Sequence, residues 1–243
     1  RVVANLNKQT GNTIPIYLKD IQEKTGGLAL GSYITLAARS GVGKSTLAIQ
    51  IAVKTALMGI AAGYISIEMS SSDLHKRAMA DICNVSFYRL MTGKLKESEI
   101  KSIYDNSDTL HKIPLFYDES IELYTICSKI RKMAKNGVKL VCVDYVQIVR
   151  VSLNRNSTRE QEISTISSTL KQLAKELNIV IIGLAQLLRE IDKRAVKRPM
   201  ISDLRESSSL ESDADMIWLL YRPEIYKVST WDSACDWEGQ DTN

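Results

Sequence analysis

The apolar run Tyr33-Ile34-Thr35-Leu36-Ala37 leads into Ala38-Arg39-Ser40-Gly41-Val42-Gly43-Lys44-Ser45, and the periodic stretch Thr46-Leu47-Ala48-Ile49-Gln50-Ile51-Ala52 follows. A strand, a glycine-containing turn and a helix in that order read as a phosphate-binding loop. Small residues let backbone N–H groups surround phosphate oxygens, Lys44 reaches the β- and γ-phosphates, and the Ser45 hydroxyl serves Mg²⁺. Ser40, Gly41, Val42, Gly43, Lys44, Ser45 and Thr46 are therefore the candidate nucleotide-binding residues. The usual pattern opens on Gly where this chain has Ala38. The intact Gly43-Lys44-Ser45 core, set between a strand and a helix, outweighs that difference.

Working outward, further apolar runs at 62–67, 113–117, 140–143, 179–184 and 216–221 alternate with helical patterns. Such alternation predicts βα units and a mostly parallel sheet covered by helices on both faces. The clearest helix spans Arg159–Leu177, where Ile163, Ile166, Leu170, Leu173 and Leu177 form one apolar stripe. A second fits 121–134 and stops near Asn136-Gly137. Segments 150–158 and 191–199, the latter with Lys193, Arg194, Lys197 and Arg198, are expected to be exposed loops.

A chain of 243 residues suffices for one large α/β domain. The expected division is a linker remnant at 1–12, the domain at 13–226 and a weakly ordered acidic tail at 227–243. A net charge of +4 permits contact with nucleic acid without requiring it. Cys83, Cys127, Cys142 and Cys235 are widely spaced, with no C-x-x-C pair, so neither a zinc site nor a disulfide framework is indicated. No apolar run reaches the about 18 to 20 residues of a membrane span, and nothing resembles a signal peptide. A cytoplasmic protein is expected.

In open parallel sheets ligands bind at the carboxyl ends of the strands, so the residues that end each apolar run are the next candidates. Leu140-Val141-Cys142-Val143-Asp144 ends in a carboxylate able to hold Mg²⁺ beside Ser45, the Walker B form. Gly63-Tyr64-Ile65-Ser66-Ile67-Glu68 ends in a Glu with two readings. It can polarise an attacking water, or it can sit at the start of the next helix, where Ser70 to Asp73 supply caps and negative charge is favoured. Gln186, closing the run before it, can sense a γ-phosphate or merely bond to a loop.

Several stretches resemble the C-terminal motor domain of the DnaB-type replicative DNA helicases. They are Thr25-Gly26-Gly27, Ala37-Ala38-Arg39, Ile67-Glu68-Met69-Ser70, Val143-Asp144-Tyr145-Val146-Gln147, Arg159-Glu160-Gln161-Glu162-Ile163-Ser164, and Pro199-Met200-Ile201-Ser202-Asp203-Leu204-Arg205-Glu206-Ser207 followed by Asp213-Ala214-Asp215. The resemblance runs from about Thr10 to Tyr226, and the family also has Ala at the position of Ala38. It implies a RecA-like P-loop NTPase core, assembled as a ring of usually six subunits, with single-stranded DNA in the central channel. By motif position it implies that Lys44 binds phosphates, Ser45 and Asp144 serve Mg²⁺, and Glu68 is the catalytic carboxylate. Gln186 would couple nucleotide state to the DNA side, and Arg77, nine positions after Glu68, would face the nucleotide.

The same resemblance implies that the loop holding Arg205, Glu206 and Ser208 grips the DNA backbone, although the family commonly has Gly where Ser208 stands. A Lys-x-Arg pair that reaches into the neighbouring subunit's site is also implied, and none follows Tyr221-Arg222. The chain accordingly reads as part of a longer helicase, or as a divergent member cut short. The expected activity is ATP hydrolysis driving 5′ to 3′ translocation and duplex unwinding at a replication fork, with a primase and a loader as further partners. The alternative is a RecA-like recombinase or clock-type ATPase that uses nucleotide to control assembly. It shares Lys44 and Asp144 but leaves the run 203–207 unexplained.

Overall fold

The computed structural model describes residues 12–152, 157–194 and 196–228; the side chains of 205–208 also fall outside the described set. A small antiparallel pair, β1 (Thr13–Ile14) with β2 (Leu28–Ala29), brackets helix α1 (Lys19–Thr25). The main sheet is built from β3 (Tyr33–Ala38), β4 (Ala62–Ser66), β5 (Leu115–Asp118), β6 (Leu140–Asp144), β7 (Val180–Gln186) and β8 (Met216–Leu219). Its order is β5-β4-β6-β7-β3-β8 and every pairing is parallel. The helices are α2 (Lys44–Leu57), α3 (Ser71–Ile82), α4 (Phe87–Thr92), α5 (Glu97–Asp105), α6 (Ser107–Lys112), α7 (Leu123–Lys135), α8 (Arg159–Leu177) and α9 (Ser208–Ser212).

Side chains alternate across a strand, and here each set finds a helical layer. Tyr33, Ala37, Val141, Val143, Ile181 and Ala185 share a core with α7 and α8. Ile34, Leu36, Tyr64, Leu140, Cys142, Val180, Ile182 and Leu184 share the other with α2 and α3. The stripe read from the sequence is what α8 buries: Ile163, Ile166, Leu170 and Leu173 are at most 3% exposed. Each such side chain contributes about 1.5–3 kcal/mol on leaving water. The helix starts at a reciprocal cap, in which Thr158 Oγ1 accepts from the Gln161 N–H at 3.3 Å and Gln161 Oε1 from the Thr158 N–H at 2.9 Å. It ends on Asn178 in the left-handed region. Gly183 answers to close packing, since a Cβ there would lie 2.9 Å from Tyr33 Cε2 on the neighbouring strand.

The expected runs and the strands agree within a few residues, but one expectation holds only in part. Asp192, Lys193 and Val196 in segment 191–199 are exposed, yet the segment starts in a 3-10 turn (Arg189–Lys193) whose Ile191 has no exposed surface. Two of its cations are engaged internally, Arg194 Nη2 with Asp203 Oδ2 at 2.8 Å and Lys197 Nζ with the carbonyls of Asp192 and Arg194. A charge run read alone shows the charges and not the acceptors that pair with them. Part of 150–158, residues 1–11 of the expected linker 1–12 and residues 229–243 of the expected tail 227–243 lie outside the described residues.

Between β4 and β5 the chain inserts four helices with a small core of Ala80, Cys83 and Val85, joined by Phe87, Leu90 and Ile103. Glu99 is its polar hub. Its carboxylate accepts from the Ser86 N–H at 3.0 Å, the Lys96 N–H at 2.9 Å and the Arg89 guanidinium at 2.7 Å. The Arg89 contact, followed by the two backbone donors, holds the Glu99 carboxyl down to about 2, against an ordinary 4.5. A carboxyl depressed on folding stabilises fully above its unfolded value, and that stability is lost as pH falls through the folded one. Wild type should therefore lose helical signal in this insert between pH 4.5 and about 2. Glu99→Gln should be less stable at neutral pH and flatter across that window, as followed by circular dichroism at fixed urea.

Candidate functional site

The carboxyl ends of β3, β4 and β7 converge on one cleft of about 540 Å³, lined by Ala38 to Gly41, Gly43 to Thr46, Glu68, Met69, Asp73, Arg77, Phe87, Met91 and Gln186. Its floor is the loop between β3 and α2. Gly41 and Gly43 take φ of 79° and 109°, a region closed to most side chains, and Gly43 precedes α2 without any side-chain cap. The first N–H groups of α2 are thereby left to a ligand, at the end of the helix whose dipole favours anions. Val42 differs from its neighbours: it is 3% exposed, its N–H donates to the Arg39 carbonyl at 3.3 Å, and it serves the loop's own turn.

Strand alternation places Tyr64, Cys142 and Asp144 on the face covered by α2. Asp144 has no exposed surface. Its Oδ2 accepts from the Tyr64 hydroxyl at 2.7 Å and its Oδ1 lies 3.7 Å from Lys44 Nζ. That Oδ1 is buried without a hydrogen bond, while the Tyr64 hydroxyl also touches Ser45. An unpaired, buried carboxylate oxygen beside a serine hydroxyl fits a hydrated divalent cation. Among the described residues no group of three or more His, Cys, Asp or Glu could hold a metal ion.

Lys44 Nζ also stands 4.3 Å from the centroid of the Tyr145 ring. Burial pulls the Lys44 ammonium below its ordinary range, and the opposing attraction of Asp144 and Glu68 only partly restores it. The site therefore carries a cation short of negative charge. The peptide bond from Asp144 to Tyr145 is cis.

Glu68 lies two residues beyond the end of β4, exposed on the cleft wall. The turn beneath it is closed by the Met69 N–H on Ser66 Oγ at 3.0 Å and the Ile67 N–H on the Asp144 carbonyl at 2.9 Å. At the start of α3 Ser70 accepts from the Asp73 N–H, a cap common to both readings of Glu68. Gln186 pairs in register with Ala38. Its backbone is gripped on both sides by the Gln147 side chain, whose Nε2 donates to the Gln186 carbonyl at 3.0 Å and whose Oε1 accepts the Gln186 N–H at 3.1 Å. Arg77 closes the rim: Nη1 donates to Thr46 Oγ1 at 3.1 Å and the guanidinium packs 4.5 Å over Phe87.

Sequence reasoning gave no role to Tyr64, Tyr145, Gln147 or Arg39, although all four stood within quoted stretches. Asp215 proves architectural: its carboxylate takes the Tyr33 N–H and its own N–H returns to the Tyr33 carbonyl, both at 2.8 Å, pinning the start of β8 to β3. Arg205, Glu206 and Ser208 have side chains outside the described set, so the cleft geometry says nothing of them.

Tyr64→Phe should cost about 1.5–3 kcal/mol, the scale of a hydrogen bond to a charged group. Urea unfolding would measure it. Isothermal titration should also show weaker binding of Mg²⁺-nucleotide than in wild type, with metal-free nucleotide less affected.

The chain matches the DnaB-like helicase C-terminal domain over residues 13–239. It is 38% identical over 215 residues to a probable plasmid replicative DNA helicase of Chlamydia muridarum, covering 87% of this chain and 47% of that protein. It is 40% identical over 221 residues to the replicative DNA helicase DnaB of Buchnera aphidicola from Acyrthosiphon pisum, covering 87% and 47%. The chain thus spans about half the length of these relatives. Among solved structures, one ATPase domain superposes with a TM-score of 0.85 at 27% identity, over 97% of this chain and 84% of that one. A DnaB-like replicative helicase described with its interactions with primase superposes with a TM-score of 0.85 at 28% identity, over 95% and 57%.

Proposed function

Because the chain belongs to the family of DnaB-like helicase C-terminal domains, we propose that it is the motor of a replicative DNA helicase, hydrolysing ATP to move 5′ to 3′ on single-stranded DNA and open duplex. The observation that carries this reading is that Lys44, Glu68 and Gln186 line one cleft floored by a phosphate-type loop, with the buried Asp144 carboxylate 3.7 Å from Lys44.

In this reading the free N–H groups at the start of α2, with Ser40, Gly41 and Gly43, hold the phosphates, and the undercompensated Lys44 neutralises them. Ser45 and Asp144 would hold Mg²⁺, which supplies charge neutralisation on the β- and γ-phosphate oxygens. Glu68, fixed on its closed turn, takes the proton from the attacking water. Arg77, braced on Phe87 and Thr46, faces the far part of the nucleotide. Gln186 stands where the cleft meets the strand that leads to residues 201–207, and reports occupancy in that direction. Arg205, Glu206 and Ser208 contact the DNA backbone. The working form is a ring, with six subunits, in the cytoplasm, and primase and loader are its partners.

ATP turnover with and without single-stranded DNA tests this, at protein concentrations spanning assembly. Glu68→Gln should lower turnover by about 10²–10⁴ while nucleotide still binds. Lys44→Ala should lose nucleotide binding, and Arg205→Ala should lose only the stimulation by DNA. Turnover in wild type that DNA leaves unchanged would instead favour an ATPase that controls assembly.

A further inference from the structure

Arg39 opens the phosphate loop, yet its guanidinium is spent elsewhere. Nη2 and Nε clasp the Asp192 carboxylate at 2.6 and 3.2 Å, and Nη1 donates to the Leu187 carbonyl at 3.1 Å. The Arg39 side chain is 12% exposed in this clasp. A side-on, two-point pair of this kind fixes orientation as well as distance.

From Arg39 two routes lead to Asp203. The first is short: Leu187 accepts from Arg39, and the next residue, Leu188, donates its N–H to the Asp203 carbonyl at 3.3 Å. The second passes through Asp192 and the turn seated on buried Ile191 to Arg194, whose Nη2 meets Asp203 Oδ2 at 2.8 Å. Lys197 ties that turn together through the carbonyls of Asp192 and Arg194 at 2.7 and 2.6 Å. The Asp203 carboxylate also takes the Met200 N–H at 2.7 Å, which sets the turn Ile201–Ser207. The contacts close into a ring, with the nucleotide cleft at one end and the base of the 201–207 segment at the other.

We propose that Asp192 is a positioning residue: by clasping Arg39 it makes the ordering of the phosphate loop and the placement of residues 201–207 one energetically linked event. The proposal rests on the nucleotide-binding reading above, but not on DNA translocation. A ligand that fixes residues 40–45 restrains Arg39 through one or more peptide bonds. Asp192 passes the restraint to a segment that is also reached from Arg39 through Leu187 and Leu188. Tyr226, whose hydroxyl lies 3.5 Å from Asp192 Oδ1, borders the same carboxylate. No part of the link asks Asp192 to touch nucleotide.

Hydrogen exchange at the Leu188 and Asp203 amides reads the link directly, with ADP and Mg²⁺ as the probe on the whole chain. In wild type, nucleotide should slow both amides by about fivefold or more, the lower end of ordinary coupling. In Asp192→Ala that response should fall to about half or less, the remainder passing through Leu187 and Leu188, while ADP affinity stays within a few fold, and Asp192→Glu should restore part of it. A merely structural Asp192 would speed exchange by one factor with and without nucleotide, leaving the response intact. That result overturns the proposal, as does a wild type that binds ADP with no response at either amide; the helicase reading survives both. Failure of wild type to bind nucleotide would overturn the two together.

Discussion

A carboxylate with no exposed surface, Asp144, is the constraint around which the cleft is arranged. An ionised group removed from water is tolerated only when its charge is met and its lone pairs are bonded. Tyr64 supplies one hydrogen bond at 2.7 Å, and Lys44 supplies charge at 3.7 Å without completing a second. The pair is left unfinished on the side that faces the loop. Burial costs Lys44 more than Asp144 and Glu68 return, so the ammonium is held below its ordinary range. Both deficits are of the kind that a phosphate chain and a divalent cation remove. The groups that cost the fold stability are thus the ones that such a ligand would satisfy.

That arrangement depends on strand parity. Tyr64 and Asp144 fall on the α2 face only because β4 and β6 pair in parallel with Tyr64 opposite Cys142 and Ser66 opposite Asp144. A shift of one residue would turn Asp144 into the α7 and α8 layer, among apolar side chains such as Ile166 and Leu170. The opposite layer holds register by shape: Gly183 leaves room for the Tyr33 ring, and Asp215 binds both backbone groups of Tyr33. The packing on one face thus places the chemistry on the other.

Local features were legible in the sequence because their cause is local. The loop at 40–45 announces itself by spacing, and Arg159–Leu177 is bounded by Thr158 with Gln161 at one end and Asn178 at the other. Asp144 and Gln186 were legible as strand ends. Tyr64 was not, since its partner stands 80 residues away and a Tyr in an apolar run looks like core. Arg39 and Asp192 are 153 residues apart, and segment 191–199 shows a cluster of cations whose acceptors are mostly backbone carbonyls. No pattern of residue types discloses a carbonyl that has been turned toward a lysine. The alternatives for Glu68 stayed open for the same reason; the closed turn at Ser66 fixes its backbone, and the cap on Ser70 is common to both readings.

The helical insert between β4 and β5 shows how a peripheral element can matter to the cleft. It has a core of small and medium side chains, Ala80, Cys83 and Val85, and Glu99 ties its helices together by hydrogen bonds beside that apolar burial. From it α4 delivers Phe87 to the cleft rim, where the ring receives the Arg77 guanidinium at 4.5 Å. Arg77 belongs to α3, which packs on α2, so one arginine joins the phosphate-loop helix, through Thr46, to the insert. Opposite it, Gln147 fixes the backbone of Gln186 at two points. The cleft therefore has walls referenced to different parts of the fold, one to the insert and one, through Gln147 and Gln186, to the ends of β6 and β7. A change in how far apart those walls are held is a change that both parts must feel, which is the mechanical condition a nucleotide-driven motor has to meet.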